Sequence, residues 1–252
     1  MTIATLATAH TPHATTPKYR RVLLKLSGEA LCETGGFGLD AAELGVIGNE
    51  LKAAIGLGTQ VAIVVGGGNF IRGAQLATHG GIPQATADHM GMLGTVINAM
   101  ALKETLLNLG VPCRVMSAIE IRAVAEPFIR SRAIRHMEKG RVVILGAGTG
   151  NPFFTTDTCA ALRARELDCE ILMKATKVDG VYSADPKKDP KATRYDKLSM
   201  AEAIAKNLKI MDMTALAMCQ EHKIPVLVFD FKKSGNIARV IGGADVGTVV
   251  SP

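Results

Sequence analysis

The amino-acid sequence predicts an α/β fold, a three-layer α/β/α sandwich around a mainly parallel sheet. Short apolar runs recur along the 252 residues, and helix-like segments separate most of them, which is typical of βαβ units. Hydrophobic residues make up 48% of the chain, enough for a sheet covered on both faces. We expect one domain over residues 19–252, with two lobes around a cleft at the strand ends, after a flexible tail over residues 1–18.

The apolar runs and the segments between them give the elements in order. Strands are predicted at 22–26, 61–65, 114–116, 142–145, 171–173 and 226–229, and helices at 40–57, 88–109, 127–138, 157–167 and 215–222. Asp40, Asp88 and Asp157 each stand where an N-cap residue belongs. In the second helix Met92, Val96, Met100 and Leu107 fall near one face. Such a stripe fits the core or a subunit interface equally well.

Charge and composition limit the partners. The net charge is +6, but aromatic residues make up only 4% of the chain and tryptophan is absent. Because platforms for stacking bases are scarce, no nucleic acid partner is expected. The basic excess fits small polyanions, and an ordinary solvated surface would explain it as well.

Cysteine usage and the N-terminal segment indicate the compartment. The five cysteines are scattered without a CxxC pair, so neither a zinc site nor a disulfide framework is predicted and a reducing cytoplasm is expected. Residues 1–17 lack an apolar core, which argues against a signal peptide, and their low arginine content is poor support for a transit peptide. No apolar stretch approaches the roughly 18 residues that span a bilayer, so no membrane anchor is expected.

Three predicted strands run into glycine-rich turns. The strand at 142–145 leads into GAGTGNPFFTTD at 146–157, the strand at 22–26 leads into Ser27 and Gly28, and the strand at 61–65 leads into GGGN at 66–69. Glycine lets the backbone approach a ligand closely, and the free amides at the start of a helix favour anions. Neither GxxxxGK[ST] nor a complete GxGxxG is present. A single such turn would be weak evidence, whereas three at strand ends predict sites for two phosphorylated ligands.

Side chains suited to phosphate chemistry accompany these turns. Lys25 ends the first strand, where its ammonium could lie across a phosphate chain and stabilise charge between the β- and γ-phosphates. Arg72 follows the second turn, and its guanidinium could grip phosphate oxygens in pairs. Alone, each could equally be a surface cation. The segment KATKVDGVYSADP at 174–186 has a layout suited to flanking a base and a ribose.

These motifs resemble those of the amino acid kinase superfamily, and most closely those of the bacterial uridylate kinases, which convert UMP to UDP. The resemblance covers nearly the whole chain from Tyr19 onward. It rests on LLKLSGEAL at 23–31, VVGGGNFIRG at 64–73, DHMGML at 88–93, GAGTGNPFFTTD at 146–157 and KATKVDGVYSADP at 174–186. The run GNPFFTTD separates the uridylate branch from the carbamate, glutamate, aspartate and acetylglutamate kinases.

The resemblance implies a role for each motif. Lys25, Arg72 and Asp157 would be catalytic, with Arg72 bridging the donor and acceptor phosphates and Asp157 organising the positive groups. The ATP-binding residues would be Lys25, Leu26, Ser27, Gly28, Gly68, Arg72, Thr176, Tyr182 and Asp185. UMP would be held by Gly67, Asp88, Thr149, Gly150, Asn151, Pro152, Phe153, Phe154, Thr155 and Thr156, with Asp88 on the ribose, Thr156 on the phosphate and Asn151 on the uracil edge.

The resemblance also implies Mg²⁺ carried as Mg-ATP, a homohexamer built from dimers, and regulation by GTP and UTP. The segment ETGGFG, formed by Glu33, Thr34, Gly35, Gly36, Phe37 and Gly38, is similar to one that such enzymes use in GTP activation, although a flexible glycine loop would look the same. Tyr182 stands where phenylalanine is common, which should preserve stacking. The Gly73–Ala87 loop departs in detail from the family pattern, so the resemblance does not predict how this loop closes. The rivals are a kinase of the same superfamily with a carboxylate or carbamate acceptor, and a nucleotide-binding regulator without catalysis.

Overall fold

A computed structural model of the protein describes residues 17–71, 81–186 and 188–252. Its strands are β1 (Arg21–Leu26), β2 (Gln60–Val65), β3 (Cys113–Ser117), β4 (Glu126–Pro127), β5 (Val142–Gly146), β6 (Ile171–Thr176), β7 (Val181–Tyr182), β8 (Arg194–Tyr195), β9 (Lys197–Ser199), β10 (Val226–Asp230) and β11 (Thr248–Ser251). Its helices are α1 (Ala41–Ile55), α2 (Gln84–Asn108), α3 (Arg130–Glu138), α4 (Thr156–Glu166), α5 (Met200–Ala205), α6 (Met213–Glu221) and α7 (Asn236–Ile241).

Within these ranges, nine strands form one sheet in the order β4-β3-β5-β2-β1-β6-β10-β11-β9. The pairing is parallel from β4 to β10 and antiparallel only between β10 and β11, and β7 and β8 form a separate antiparallel ribbon. β1 therefore lies near the middle of the sheet, between β2 and β6. The mainly parallel sheet that the sequence predicts is confirmed.

Alternate residues of each central strand point into two separate cores, because successive side chains of a strand face opposite sides. Leu24 of β1 packs in the core that α1, α2 and α7 cover, whereas Leu23 packs in the core that α3, α4, α5 and α6 cover. The result is the predicted sandwich, with one helical layer on each face of the sheet. Burial on both faces explains why the central strands are continuous apolar runs.

All six predicted strands and all five predicted helices are present, but two of the predicted caps are wrong. Asp40 caps α1 as expected, since its carboxylate accepts from the Glu43 amide at 2.8 Å. Asp88 lies one turn inside α2, which begins after Pro83, because the fixed φ of proline suits the start of a helix. Asp157 lies inside α4, whose N-cap is Thr155.

Three further differences come from short or edge elements. The helix predicted from 127 begins at Arg130, because Glu126 and Pro127 pair with β3 as an edge strand. The sequence does not predict the short strands β7, β8, β9 and β11 or the short helices α5 and α7, since such short segments carry too little periodicity.

The five cysteines are buried free thiols.

The four apolar residues of the second predicted helix differ in burial. Met92 and Val96 are buried, whereas Met100 and Leu107 are exposed beside Leu93 and Ile97. The exposed residues of α2 thus form an apolar stripe of their own. Among the helices that the structure describes, none is both long and apolar enough to span a membrane.

Candidate active site

The three glycine turns meet at one edge of the sheet. β2, β1 and β6 are parallel neighbours, and β5 lies beside β2, so the segments that follow these strands share the carboxyl edge. In open α/β sheets, ligands bind in the crevice outside this edge. The fold therefore gathers the predicted phosphate turns into a single cleft.

The first two turns touch each other through glycine backbone. A Cβ on Gly28 would lie 2.8 Å from the Gly68 nitrogen and 2.9 Å from the Gly66 oxygen, and it would collide with the side chain of Asn69. Only glycine fits at this contact. By contrast, a Cβ on Gly68 would meet nothing within 4 Å, so Gly68 faces open space at the cleft.

The third turn is held in an unusual backbone conformation. Four of its residues have φ between 55° and 82°, namely Ala147, Gly148, Gly150 and Phe153. Residues other than glycine rarely adopt this backbone conformation. Contacts with α2 stabilise the two that are not glycine. The Ala147 amide donates to Thr95 Oγ1 at 2.7 Å, and the Phe153 amide donates to Asp88 Oδ2 at 2.8 Å.

A buried cluster of charges lies between the turns. Lys25 and Lys174 are direct register partners on β1 and β6, and both ammonium groups contact Asp157. Lys25 Nζ lies 3.1 Å from Asp157 Oδ1, and Lys174 Nζ lies 2.6 Å from Asp157 Oδ2. The three side chains are between 11% and 15% exposed, so they are largely desolvated but still reachable from the cleft.

The environment of this cluster shifts two of its pKa values. Burial would raise the pKa of Asp157, but the adjacent Lys25 and Lys174 outweigh it and lower that pKa. Burial also lowers the pKa of Lys174, and Asp157 offsets this only in part. Within this cluster, two ammonium groups face one carboxylate, which leaves one net positive charge among the three side chains. Such a site is suited to a polyanion.

Sequence reasoning gave Lys174 no role, although it lies in a predicted motif. The signal that could have identified it is a shared pattern, since three apolar residues precede lysine both in β1, at Val22–Lys25, and in β6, at Ile171–Lys174. Equal register on adjacent parallel strands then brings the two lysines side by side. Lys174 also donates to the Ile210 carbonyl at 2.6 Å, which holds its ammonium in place.

Asp212 is a second residue that sequence reasoning missed. It caps α6 through the Ala215 amide at 2.9 Å, and its carboxylate also accepts from the hydroxyls of Thr155 and Thr158. Thr155 in turn accepts from the first-turn amides of α4. Asp212 therefore ties the start of α6 to the start of α4. The signal was an aspartate shortly before the predicted helix, which was placed from 215 although α6 begins at Met213.

Two cavities open on either side of the charge cluster. One has a volume of about 270 Å³ and is lined by residues of the second and third turns and of α2, among them Gly67, Gly68, Asp88, Thr149, Phe154, Thr155 and Thr156. The other has a volume of about 500 Å³ and is lined mainly by residues of β6 and the segments after β6 and α5, among them Lys174, Thr176, Tyr182 and Asp185. Lys174 lines the larger cavity, and its partner Asp157 directly follows Thr156, which lines the smaller one.

The remaining predicted residues lie around these cavities. Leu26 is buried in the core, Ser27 and Gly28 form the first turn, and Asn151, Phe153 and Phe154 are exposed on the third turn. Gly150 and Pro152 belong to the same turn. The Tyr182 hydroxyl donates to Asp179 at 2.6 Å. Arg72 and residues 73–80 of the Gly73–Ala87 loop lie outside the described residues.

The segment 33–38 lies next to the first two turns. Residues 33–37 are exposed, and Phe37 contacts Phe70 edge-on with ring centroids 5.8 Å apart. The Gly38 amide donates to the Asn69 carbonyl at 2.9 Å. The segment is thus attached to the second phosphate turn.

The charged groups of the site do not resemble a protein metal cage. In the described part of the chain, no group of three or more His, Cys, Asp or Glu side chains could hold a metal ion. Asp157, the carboxylate nearest the centre, is already engaged by two lysines.

Known proteins share this sequence pattern and this architecture. The profile of the Amino acid kinase family matches residues 20–230. A solved UMP kinase from Bacillus anthracis is 40% identical, with 92% of this chain and 96% of that chain covered and a TM-score of 0.90. A UMP kinase from Ureaplasma parvum is 36% identical, with 93% and 100% covered and a TM-score of 0.88.

A more distant relative has the same fold. A uridylate kinase from Archaeoglobus fulgidus is 29% identical, with 91% of this chain and 99% of that chain covered and a TM-score of 0.70. The family match over residues 20–230 includes all three glycine turns. The chain therefore belongs to the amino acid kinase family and, within it, to the group of the UMP kinases.

Proposed function

We propose that this protein is a UMP kinase, a phosphotransferase that reversibly moves the γ-phosphoryl group of ATP to UMP and gives ADP and UDP, as in pyrimidine nucleotide biosynthesis. The observation that carries the proposal is the cluster of Lys25, Lys174 and Asp157 at the junction of two cavities. Two polyanions that meet end to end repel each other, and fixed cations at their junction reduce that repulsion.

The donor nucleotide is assigned to the larger cavity. Its volume and its lining by Thr176, Tyr182 and Asp185 suit an adenosine group, with Tyr182 offering an aromatic face. The triphosphate would then run toward Lys25 and the turn formed by Ser27, Gly28 and Gly68. Leu26 contributes only backbone, since its side chain is buried.

The acceptor nucleotide is assigned to the smaller cavity. Gly67, Asp88, Thr149 and Thr156 line it, and the positive end of the α4 dipole would favour a phosphate there, although Thr155 already accepts from the Asp157 and Thr158 amides. The single hydroxyl proton of Thr155 is donated to Asp212, so Thr155 would act through its backbone and its capping role. The segment from Gly150 to Phe154, in which Asn151, Phe153 and Phe154 are exposed, would cover the uracil, with Asn151 on its edge.

The reaction requires neutralisation and alignment more than proton removal. The second pKa of a phosphate monoester is about 6, so UMP is largely a dianion at neutral pH and can attack without a general base. Lys25 and Lys174 would stabilise charge on the transferred group, and Asp157 would orient both. We assign to Arg72 the bridging of the two phosphates. The magnesium that accompanies ATP would neutralise charge on the β- and γ-phosphate oxygens.

Regulation and assembly are proposed on separate grounds. The exposed segment from Glu33 to Gly38 is attached to the second phosphate turn, which supports a role in GTP activation, with UTP as the inhibitor that the family resemblance suggests. The exposed stripe on α2, formed by Leu93, Ile97, Met100 and Leu107, supports self-association, and the resemblance suggests a homohexamer. Five free thiols support a cytoplasmic location.

An acceptor panel tests the proposal. Purified protein is incubated with Mg-ATP and, separately, with UMP, CMP, dTMP, glutamate, aspartate and carbamate, and both ADP and the phosphorylated product are measured. We expect UDP as the main product. Turnover of an amino acid or carbamate without turnover of UMP would assign the chain to another branch of the family. UMP binding without any phosphoryl transfer would indicate a regulator.

A further inference from the structure

Behind the first two phosphate turns, two asparagine side chains form a closed pair. Asn69 Nδ2 donates to Asn98 Oδ1 at 2.9 Å, and Asn98 Nδ2 donates to Asn69 Oδ1 at 2.7 Å. Asn69 is 2% exposed and Asn98 is fully buried. Buried amides are stabilising only when their polar groups are satisfied, so the partners of this pair define what it holds.

The remaining donors of the pair reach backbone on both sides. Asn98 Nδ2 also donates to the Gly66 carbonyl at 2.7 Å, and Asn69 Nδ2 also donates to the Gly38 carbonyl at 2.6 Å. All four amide N–H groups of the pair therefore have an acceptor. The pair connects α2, the second phosphate turn and the end of the 33–38 segment.

The pair also fixes the first phosphate turn, by contact. The side-chain Oδ1 of Asn69 occupies the space that a Cβ on Gly28 would need. The Gly66 amide donates to the Leu26 carbonyl at 2.8 Å, just before that turn. A shift of the Asn69 side chain would thus change the distance between Gly28 in the first turn and residues 66–68 in the second.

Helix α2 extends the same arrangement to the third turn. Asn98 holds the second turn, while Thr95 and Asp88 hold Ala147 and Phe153 of the third. One rigid helix therefore sets the separation of the turns assigned to donor and acceptor. A misplacement of about 1 Å between reacting groups is enough to slow a reaction about 100-fold.

We infer that Asn69 and Asn98 are positioning residues for phosphoryl transfer, which act as one unit and set the spacing between the donor and acceptor phosphate turns. Neither side chain faces either cavity, so they act through Gly28 and Gly66. The inference rests on the proposed function for its kinetic consequences. Its structural content, that the pair restrains both turns, does not.

The first experiment measures the turns directly, without substrate. Amide hydrogen exchange is compared in wild type, Asn98→Leu and Leu102→Ala. Leu102 lies one turn along α2 and is fully buried in the core, so Leu102→Ala weakens the same helix but leaves the amide pair intact. We expect faster exchange at residues 26–30 and 66–70 in Asn98→Leu, and exchange close to wild type at these residues in Leu102→Ala. Equal exchange at the turns in all three proteins would overturn the inference.

The second experiment measures steady-state kinetics at a temperature below the thermal unfolding midpoint of each variant. For Asn69→Ala, Asn98→Ala and the double variant we expect kcat to fall by about 100-fold, while KM for UMP and ATP stays within about threefold. Because the pair acts as a unit, the double variant should lose no more than either single variant. For Leu102→Ala we expect kcat within about threefold of wild type.

The outcomes separate this inference from the proposed function. Losses of kcat that multiply in the double variant, or a kcat near wild type in folded Asn98→Ala, would show that the pair only stabilises the core. If wild type itself forms no UDP, the proposed function fails, and the exchange experiment still decides whether the pair restrains the turns. Should Asn98→Leu fail to fold, Asn98→Ala replaces it in the exchange comparison.

Discussion

Lys25 and Lys174 face each other across neighbouring parallel strands, and the carboxylate of Asp157 lies between their ammonium groups. Two buried lysines side by side would repel each other strongly without that carboxylate. The arrangement concentrates positive charge at the point where the two cavities meet. Asp157 is therefore best understood as the group that holds the cations in place, since it is too firmly engaged to take up a proton during the reaction.

Replacing Lys25 should abolish most of the activity without preventing binding of UMP. Lys25→Met keeps the length and apolar stem of the side chain and removes only the charge. Loss of one such electrostatic donor raises the barrier by about 3 kcal/mol, so kcat should fall by 10²–10³-fold, as an order-of-magnitude estimate. Steady-state kinetics and calorimetric titration of UMP measure the two effects.

Lys139→Met is the matched control for this substitution. Lys139 is exposed at the end of α3, remote from the carboxyl edge of the sheet, and its loss should leave kcat unchanged. A Lys25→Met protein with wild-type kcat would remove Lys25 from the catalytic assignment.

The alkaline limit of the reaction should reflect Lys174. Burial lowers the pKa of Lys174 from its usual 10.5, so the ammonium loses its proton, and activity declines, at a lower pH than for an exposed lysine. Asp157 raises this pKa, and Asp157→Asn should therefore move the alkaline limb of the kcat profile to still lower pH. The residual activity of the variant is measured from pH 6 to pH 10, a working range chosen around the usual lysine value.

Lys174→Arg provides the check on that interpretation. Arginine stays protonated throughout this range, so whatever activity Lys174→Arg retains should show no alkaline limb from this position. An alkaline limb in Asp157→Asn at the wild-type pH would assign the titration to another group.

Asp88 should matter for UMP and not for ATP. Its carboxylate accepts from the Phe153 amide at 2.8 Å and from Gln84 at 2.7 Å, and it lines the smaller cavity. Asp88→Asn replaces one acceptor oxygen by a donor, so it weakens both the hold on the third turn and the proposed contact with the ribose. Hydrogen bonds to a charged group contribute about 1.5–3 kcal/mol, and we expect KM for UMP to rise about tenfold or more.

KM for ATP is the internal control for this variant and should stay within about twofold. A rise in both KM values by the same factor would mean that Asp88 supports the whole cleft, which would contradict its assignment to the acceptor side.

Asp212 should contribute to stability through two helices at once. Asp212→Ala removes the acceptor of the Ala215 amide and of the hydroxyls of Thr155 and Thr158. Loss of an N-cap costs about 1 kcal/mol, and two linked caps should cost about 2 kcal/mol. Urea unfolding measures the loss. Asp40→Ala, at the cap of α1, is the control and should cost only about 1 kcal/mol, because Asp40 caps a single helix.

The sequence predicts the sheet and the turns because both depend on local patterns. Buried parallel strands are continuous apolar runs, and glycines such as Gly28 mark places where only backbone fits. The lysine pair is different, since the pairing of Lys25 with Lys174 depends on which strands are neighbours, and strand order is set by packing over the whole chain. The cap of α4 is Thr155 and not Asp157, because the Asp157 carboxylate pairs with Lys25 and Lys174.

A crystal structure with UMP and a non-hydrolysable ATP analogue bound together would locate both phosphates relative to the lysine pair. We expect the α-phosphate of UMP at the first turn of α4, the terminal phosphate of the analogue at Gly28 and Gly68, and the ammonium groups of Lys25 and Lys174 beside the gap between them. Either phosphate located away from these turns, or a gap remote from Asp157, would contradict this expectation.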